Sequence, residues 1–161
     1  MTDRENSKET PALSKIYQNA LEFNDRYGLA YYGKPRALRN GMARMRIKMI
    51  REECKEYIES QEAAREQCTL LPEDFDPDLY RHELERALDG LVDIVYATVV
   101  TAAQHGFDFD RAWDRVHKAN MQKVRGDLSS DAERGGAYDI VKPEGWQSPD
   151  LSDLVKDNDL C

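Results

Sequence analysis

Three glutamates within five residues are the first side chains whose types and spacing suggest chemistry. Glu52, Glu53 and Glu56 lie in the string REECKEY. A helix advances about 100° per residue, so positions three or four apart share a face and the three carboxylates converge. Like charges at this spacing destabilise an isolated helix by about 0.2–0.5 kcal/mol per pair, so positive charge is expected nearby. It comes either from a bound metal ion or from the side chains of a solvated face, Lys48, Arg51 and Lys55.

A second acidic pair lies in the most apolar part of the sequence. Asp89 and Asp93 are the only charged residues between Ala87 and Ala103, and their spacing of four places them on one face of a helix. The run predicts a buried helix, where an unpaired carboxylate costs roughly several kcal/mol. Because the run contains no Lys or Arg, two explanations stay open: pairing with a cation of another helix, or metal binding.

The two acidic motifs together supply five carboxylates. On neighbouring antiparallel helices, such a set of oxygen ligands suits Mg²⁺ or Mn²⁺. A di-iron bundle would require paired Glu-x-x-His motifs, and the nearest approach here is the single Asp114-x-x-His117. The sequence therefore predicts a site for Mg²⁺ or Mn²⁺.

A third cluster, in the string HKANMQKVRG, combines an amide with cations. Asn120 and Lys123 are three residues apart, and Arg125 follows. A lysine beside an amide donor can hold phosphate oxygens. The alternative is that these cations only complement the dipole at the end of a helix.

Four helices are predicted to position these side chains. Their bounds follow from apolar residues at helical spacing, from Gly28 and Gly106 as stops, and from Asp76 followed by Pro77 as a start. The helices run from about 14 to 27, 41 to 67, 77 to 105, and from Asp108 or Asp110 to about Val124. No segment shows the alternation of a strand. The predicted fold class is all-α, a bundle of four main helices completed by oligomerisation.

The chain is expected to form one domain with two appendages. Residues 1–11 are predicted to be a disordered arm, and residues 12–125 the catalytic helix bundle. Residues 126–161 are predicted to be a C-terminal extension that packs on the bundle or on a neighbouring subunit. Within it, Ser148 and Pro149 predict the start of a short terminal helix.

The charge and hydropathy of the sequence indicate which kinds of binding partner to expect. The net charge of −8 argues against a nucleic acid polymer, because such binding draws on clustered Lys and Arg. No apolar run reaches the roughly 20 residues that cross a membrane, and the polar start MTDRENSKETP is not a secretory signal. We therefore expect a soluble cytoplasmic protein that binds no membrane. A nucleotide is compatible with the acidic charge if a divalent cation separates carboxylates from phosphates.

The motifs in combination resemble the MazG-like, phosphoribosyl-ATP pyrophosphohydrolase-like superfamily of all-α nucleoside triphosphate pyrophosphohydrolases. The likeness rests on Glu-Glu-x-x-Glu at residues 52–56, on the acidic pair in LDGLVDIVY, and on Asn-x-x-Lys at Asn120 and Lys123. One departure concerns the third helix, where many members carry Glu-x-x-Asp. Here Asp89 and Asp93 are four apart and residue 90 is glycine.

Phage-type members of that superfamily are the most similar in pattern. They share an early helix centred on Phe23, the pattern HxxNMxK at residues 117–123, and a tail resembling VxKPxxWxxPDL at residues 141–151. The resemblance extends over residues from about 16 to 155. It implies a phage-type enzyme in the host cytoplasm.

The resemblance also implies a reaction and the roles of site residues. A nucleoside or deoxynucleoside triphosphate, with dGTP as a purine candidate, would be hydrolysed to the monophosphate and pyrophosphate. Glu52 would orient or deprotonate the attacking water, and Glu53, Glu56, Asp89 and Asp93 would hold Mg²⁺ or Mn²⁺. The nucleotide would contact Phe23, Asn24, Asn120, Lys123, Lys142 and Trp146. The protein would be a homodimer or homotetramer.

Two other functions stay open. A non-catalytic regulator of the same fold would bind nucleotide without turnover. A structural helical bundle would carry only solvated or salt-bridged acids, and a metal would not change its thermal stability.

Overall fold

The computed structural model describes residues 13–126 and 140–156. The predicted arm, residues 1–11, lies outside the described residues, as do residues 127–139 and 157–161 of the predicted extension. The elements in chain order are α1 Lys15–Arg26, α2 Asn40–Gln67, α3 Pro77–His105, α4 Phe109–Asn120, β1 Val124–Arg125, β2 Ile140–Val141 and a 3-10 turn at Ser152–Leu154. The all-α prediction is confirmed, with four helices and two strands of two residues each in these ranges.

Local signals account for most helix ends. The Ser14 hydroxyl accepts a hydrogen bond from the Tyr17 amide at the start of α1. The Asp76 carboxylate accepts from the amides of Asp78 and Leu79, with Pro77 at the first position of α3. Gly106 ends α3 in the left-handed conformation, with φ of 73°. Each side-chain cap of this kind stabilises a helix by about 1 kcal/mol.

The α2 and α3 helices form an antiparallel hairpin, and α1 packs along α3. On α1, the Tyr17 hydroxyl donates to the Phe107 carbonyl at 2.8 Å, which fixes the start of α1 near the end of α3. The buried core lies between these two helices and consists of Tyr17, Ala20, Val99, Val100 and Ala103. This small core packs α1 against α3, and α2 contacts α3 separately.

A buried polar chain joins the three helices. The Arg46 Nε of α2 donates to Gln104 Oε1 of α3 at 2.8 Å. Gln104 Nε2 donates to Asn24 Oδ1 of α1 at 2.7 Å, and Asn24 Nδ2 donates to the Val100 carbonyl at 3.2 Å. Burial lowers the pKa of the Arg46 guanidinium. Because every link is buried, removing one of these side chains would leave its partner buried and unpaired at a cost of roughly 1–3 kcal/mol.

The α4 helix is shorter than predicted, because it ends at Asn120 and not near Val124. Val124 instead pairs with Val141, and Arg125 with Ile140, in a short antiparallel ladder. This ladder was not predictable from the sequence, since two-residue strands are too short to produce an alternating pattern. The ladder brings the described part of the extension back to the end of α4.

Further contacts attach the extension to α4. Trp146 Nε1 donates to the Ala119 carbonyl at 2.9 Å, and Arg115 forms an ion pair with Asp153 in which Nη2 lies 2.7 Å from Oδ2. The hydrogen bond from Arg115 and its charge lower the pKa of Asp153 to about 2. The helix predicted from Ser148 is a single 3-10 turn that begins at Ser152.

Among the described residues, α3 is the one helix long and apolar enough, by length and composition alone, to cross a membrane. Its most apolar 18-residue window has a mean hydropathy of 1.2, and 44 % of that window is buried inside the protein. Because α3 packs against both α1 and α2, its apolar residues have the setting of a core helix. Length and composition are therefore weak evidence for a membrane span.

Candidate active site

The five carboxylates predicted from the sequence lie together where α2 meets α3. Glu53 is half-buried, and burial is the main reason why its pKa is raised. The charges of Asp93, Glu56, Glu52 and Asp89, in that order, raise the same pKa further. All four acids therefore lie close enough to Glu53 to act on it electrostatically, and the two sequence motifs form one cluster.

The helices that carry this cluster are in close contact. A Cβ atom on Gly90 of α3 would lie 3.2 Å from the N, Cα and Cβ atoms of Tyr57 on α2. Gly90 follows Asp89 directly, and Tyr57 follows Glu56 directly. The contact point thus lies among the carboxylates, and the backbone already brings the two acidic motifs together.

The prediction that the second acidic pair is buried is wrong in part. Asp89 is exposed and Asp93 is half-buried. Several apolar residues around them on α3 face the solvent. Part of the apolar run from Ala87 to Ala103 therefore forms a helix face that nothing in the described chain covers. The solvent-facing residues are Leu88, Leu91, Val92 and Val95.

Ion pairs account for only part of the acidic cluster. Lys48 lies 3.4 Å from Glu52, while Lys55 lies 3.4 Å from Glu59, outside the cluster. In residues 13–126 and 140–156, no Lys, Arg or His forms an ion pair with Glu53, Glu56, Asp89 or Asp93. The alternative of cationic partners on neighbouring helices is thus not realised in the described chain.

The chemistry of the donor set fits a hard divalent cation, because all five groups offer carboxylate oxygens. As the side chains stand, no group of three or more His, Cys, Asp or Glu residues in the described ranges is close enough to hold a metal ion. Like charges separate carboxylates that no cation bridges, whereas the backbone contact between Gly90 and Tyr57 is already formed. Binding would therefore require at least a rotation of these side chains.

An aromatic group lies beside the acidic cluster. The Phe23 ring of α1 lies 4.7 Å from that of Tyr27 and 5.5 Å from that of Tyr96 on α3, measured between centroids. Tyr96 is three residues after Asp93 and so lies one turn away on α3. Phe23 was predicted from the sequence and Tyr96 was not, although the spacing of Tyr96 from Asp93 was a usable signal.

Asn24 occupies a different setting from the other predicted nucleotide contacts. Its side chain is 1 % exposed, and both ends of the amide are bonded to α3. In this structure the Asn24 amide joins helices. Its role as a nucleotide ligand stays a prediction.

Four other predicted nucleotide contacts form a group at the end of α4. The Nζ atoms of Lys142 and Lys123 lie 4.7 and 5.6 Å from the Trp146 ring centroid, so both cations interact with the same aromatic ring. Asn120 is exposed at the last position of α4, and its carbonyl accepts from the Lys123 amide at 3.1 Å. These residues lie together because the antiparallel ladder pairs Val124, next to Lys123, with Val141, next to Lys142.

In the part of the chain that the structure describes, no hydrogen bond or ion pair joins the acidic cluster to this basic group. The start of α4 is bonded to α1 through Asp110, which accepts from the Ser14 amide at 2.7 Å and from its hydroxyl at 2.6 Å. Further along α4, the described hydrogen bonds and ion pairs to other elements reach only the extension. The described polar contacts of α4 therefore join it to α1 and to the extension.

Comparison with known proteins adds independent evidence. The profile of the phosphoribosyl-ATP pyrophosphohydrolase family matches residues 22–120, which is more than half of the chain. The match includes all five carboxylates, Phe23 and Asn120, and it ends before Lys123. No curated protein gives a significant match. The chain belongs to the phosphoribosyl-ATP pyrophosphohydrolase family, which implies a hydrolase with a pyrophosphohydrolase-like activity on nucleotides.

Proposed function

We propose that this protein is a metal-dependent nucleoside triphosphate pyrophosphohydrolase. It would convert a nucleoside or deoxynucleoside triphosphate and water into the monophosphate and pyrophosphate. The observation that carries the proposal is the set of five carboxylates around Glu53 at the contact of α2 and α3. Four of them have no ion-pair partner in the described chain, so a cation supplied by the solvent would offset their repulsion.

Each carboxylate has a proposed role. Glu53, Glu56, Asp93 and Asp89 would hold Mg²⁺ or Mn²⁺, which when bound would polarise phosphate oxygens and lower the pKa of a coordinated water. Glu52 is exposed at the edge of the cluster and would accept a proton from the water that attacks the α-phosphorus. The bond from that phosphorus to the bridging oxygen would break, and pyrophosphate would leave.

The nucleotide would extend from the acidic cluster toward aromatic and basic side chains. Phe23, with the exposed rings of Tyr27 and Tyr96 beside it, would stack on the base. Lys123, Lys142, Asn120 and Trp146 would contact phosphate or sugar, while Asn24 would contact the nucleotide only by exchanging one of its bonds to α3. We also propose that the chain is a phage-type member of its family and that its substrate is a purine deoxynucleotide such as dGTP.

An unpartnered apolar face supports the proposal of a homodimer or homotetramer. Leu84, Leu88, Leu91 and Val95 of α3 are exposed by 43 % to 65 % of their surface. Their spacing of four, three and four residues is that of a helix seam that packs against another helix. A second copy of this chain would cover the seam and enlarge a small core. The proposed setting remains the cytoplasm, without a membrane or nucleic acid polymer as partner.

The test of the proposed function is a screen of the common NTPs and dNTPs with Mg²⁺ or Mn²⁺, in which pyrophosphate and orthophosphate are detected separately. We expect pyrophosphate and the monophosphate to appear in equal amounts and turnover to stop in excess EDTA. We also expect either cation to raise the melting temperature, because a ligand that binds only the folded state stabilises it.

The same screen separates the other functions. Full turnover in EDTA would refute metal dependence, and orthophosphate with a diphosphate as first products would indicate a different phosphohydrolase. Tight nucleotide binding without turnover would favour a regulator. Neither binding nor a metal effect on the melting temperature would favour a structural bundle.

A further inference from the structure

Gly90 is an unusual residue for its position in the middle of a long helix. Glycine in a helix interior costs about 1 kcal/mol relative to alanine, so its presence calls for a packing reason. The structure supplies one, because a Cβ atom on Gly90 would lie 3.2 Å from backbone atoms of Tyr57. Gly41 in α2 provides a contrast, since a Cβ atom there would meet nothing within 4 Å.

The contact at Gly90 is rigid on both sides. The atoms facing it are the N, Cα and Cβ of Tyr57, which cannot rotate away as a flexible side chain would. A methyl group at residue 90 would therefore separate the two helices by a few tenths of an ångström. Any such separation acts directly on the spacing between the carboxylates of α2 and those of α3, because Asp89 and Glu56 are the immediate neighbours of the contact.

We infer that Gly90 is a positioning residue that sets the distance between the α2 and α3 carboxylates and thereby favours Mg²⁺ over larger cations. The inference rests on the proposed metal site. Mg²⁺ demands near-ideal octahedral geometry at about 2.0–2.1 Å, whereas Ca²⁺ accepts flexible geometry at about 2.3–2.6 Å. A wider spacing between the helices therefore penalises Mg²⁺ more than Ca²⁺.

The experiment compares Gly90→Ala with two matched controls, using Mg²⁺ alone and Ca²⁺ alone in calorimetric titrations of the full chain. Gly41→Ala makes the same substitution in a helix where the added methyl group is free of contacts. Ala64→Val overfills a buried position of α2 two turns beyond Tyr57, on the same side of the helix. That control loosens helix packing without a change next to the carboxylates.

We expect Gly90→Ala to weaken Mg²⁺ binding by about tenfold or more, the scale of changes just outside a metal's ligands, and to weaken Ca²⁺ binding less. Both controls should keep the parent's ratio of Mg²⁺ to Ca²⁺ affinity, even if Ala64→Val melts at a lower temperature. The ratio is decisive, because a purely structural loss would affect both cations alike.

The outcomes separate this inference from the proposed function. If the parent binds neither cation, the metal site itself fails. If the parent binds Mg²⁺ and Gly90→Ala keeps the parent's affinities and ratio, the role of Gly90 is refuted while the metal site stands. A Gly90→Ala chain that lacks the parent's helical circular dichroism would also overturn the inference, since it would assign Gly90 to folding and not to spacing.

Discussion

Asp93 is the residue at which metal binding and ion pairing differ most clearly. Its carboxylate is half-buried and, of the four neighbouring charges, contributes most to the raised pKa of Glu53. No cation of the described chain pairs with it. Removing its charge should therefore relieve repulsion and leave no buried cation without a partner.

We predict that Asp93→Asn lowers activity by at least about 100-fold, because loss of a metal ligand should cost at least as much as the roughly 10- to 100-fold typical of groups just outside the ligands. Its melting temperature without metal should equal or exceed that of the parent. Glu59→Gln is the matched control, because it removes one charge from an exposed ion pair with Lys55 and should change neither property measurably. A loss of about 3 kcal/mol or more of metal-free stability with near-parental activity would instead indicate a hidden ion pair.

Side-chain positions that depend on helical spacing could be predicted from the sequence, whereas those that depend on distant contacts could not. The convergence of Glu53 with Asp93 follows from periodicity within each helix and from an antiparallel hairpin. The exposure of Asp89 and the buried bonds of Asn24 depend on which helix covers which face. Helical periodicity shows which residues share one face of a helix, but it does not show which other helix packs against that face.

The same distinction holds for whole elements. Both ends of α3 were predicted at the observed residues, because the Asp76 cap and the Gly106 stop act within one turn. The end of α4 was placed about four residues too late, since it depends on the pairing of Val124 with Val141 across 17 residues of sequence. Such a pairing leaves no local signal, and it also determines where Lys123 and Lys142 meet Trp146.

The attachment of the extension to α4 should depend on acid pH through Asp153. Arg115 lowers its pKa to about 2 from a usual value of 3.8, so the attached extension favours the ionised carboxylate. A carboxyl group whose pKa is lowered by attachment stabilises the attached state fully at pH values above its pKa in the detached state. This stabilisation is lost as the pH falls through its pKa in the attached state. The contribution of the pair is therefore present above about pH 4 and is lost toward about pH 2.

We predict that the fluorescence of Trp146 changes between about pH 4 and pH 2, measured in a Trp113→Phe background with helix content followed in parallel. Asp153→Asn should remove this transition, because the titrating group is gone. Asp114→Asn removes an acid of α4 outside the pair and should retain it. An unchanged transition in Asp153→Asn would show that the pair does not hold the extension.

At the scale of the whole molecule, the described chain leaves one side of its central helix uncovered. The core between α1 and α3 consists of a few residues, while the seam of Leu84, Leu88, Leu91 and Val95 on α3 faces solvent. A contiguous exposed apolar face of this kind marks an interaction site. The sequence predicted that oligomerisation completes the bundle, and this exposed face of α3 is where such a contact would form. One experiment tests both.

We predict that the parent sediments as a dimer or tetramer and that Leu88→Glu sediments as a monomer. Leu88 is 65 % exposed in the single chain, so the substitution should leave the folded monomer intact. In a helix seam, however, each new carboxylate would lose its water at a cost of roughly several kcal/mol, and a symmetric contact would contain at least two of them. Leu71→Glu is the matched control, since Leu71 is 62 % exposed in the connector between α2 and α3 and lies outside the seam. Sedimentation equilibrium at several protein concentrations measures the mass of all three chains, and helical circular dichroism verifies that each is folded. A parental mass for Leu88→Glu would exclude this face of α3 as the interface, whereas a monomeric parent would refute the oligomer itself.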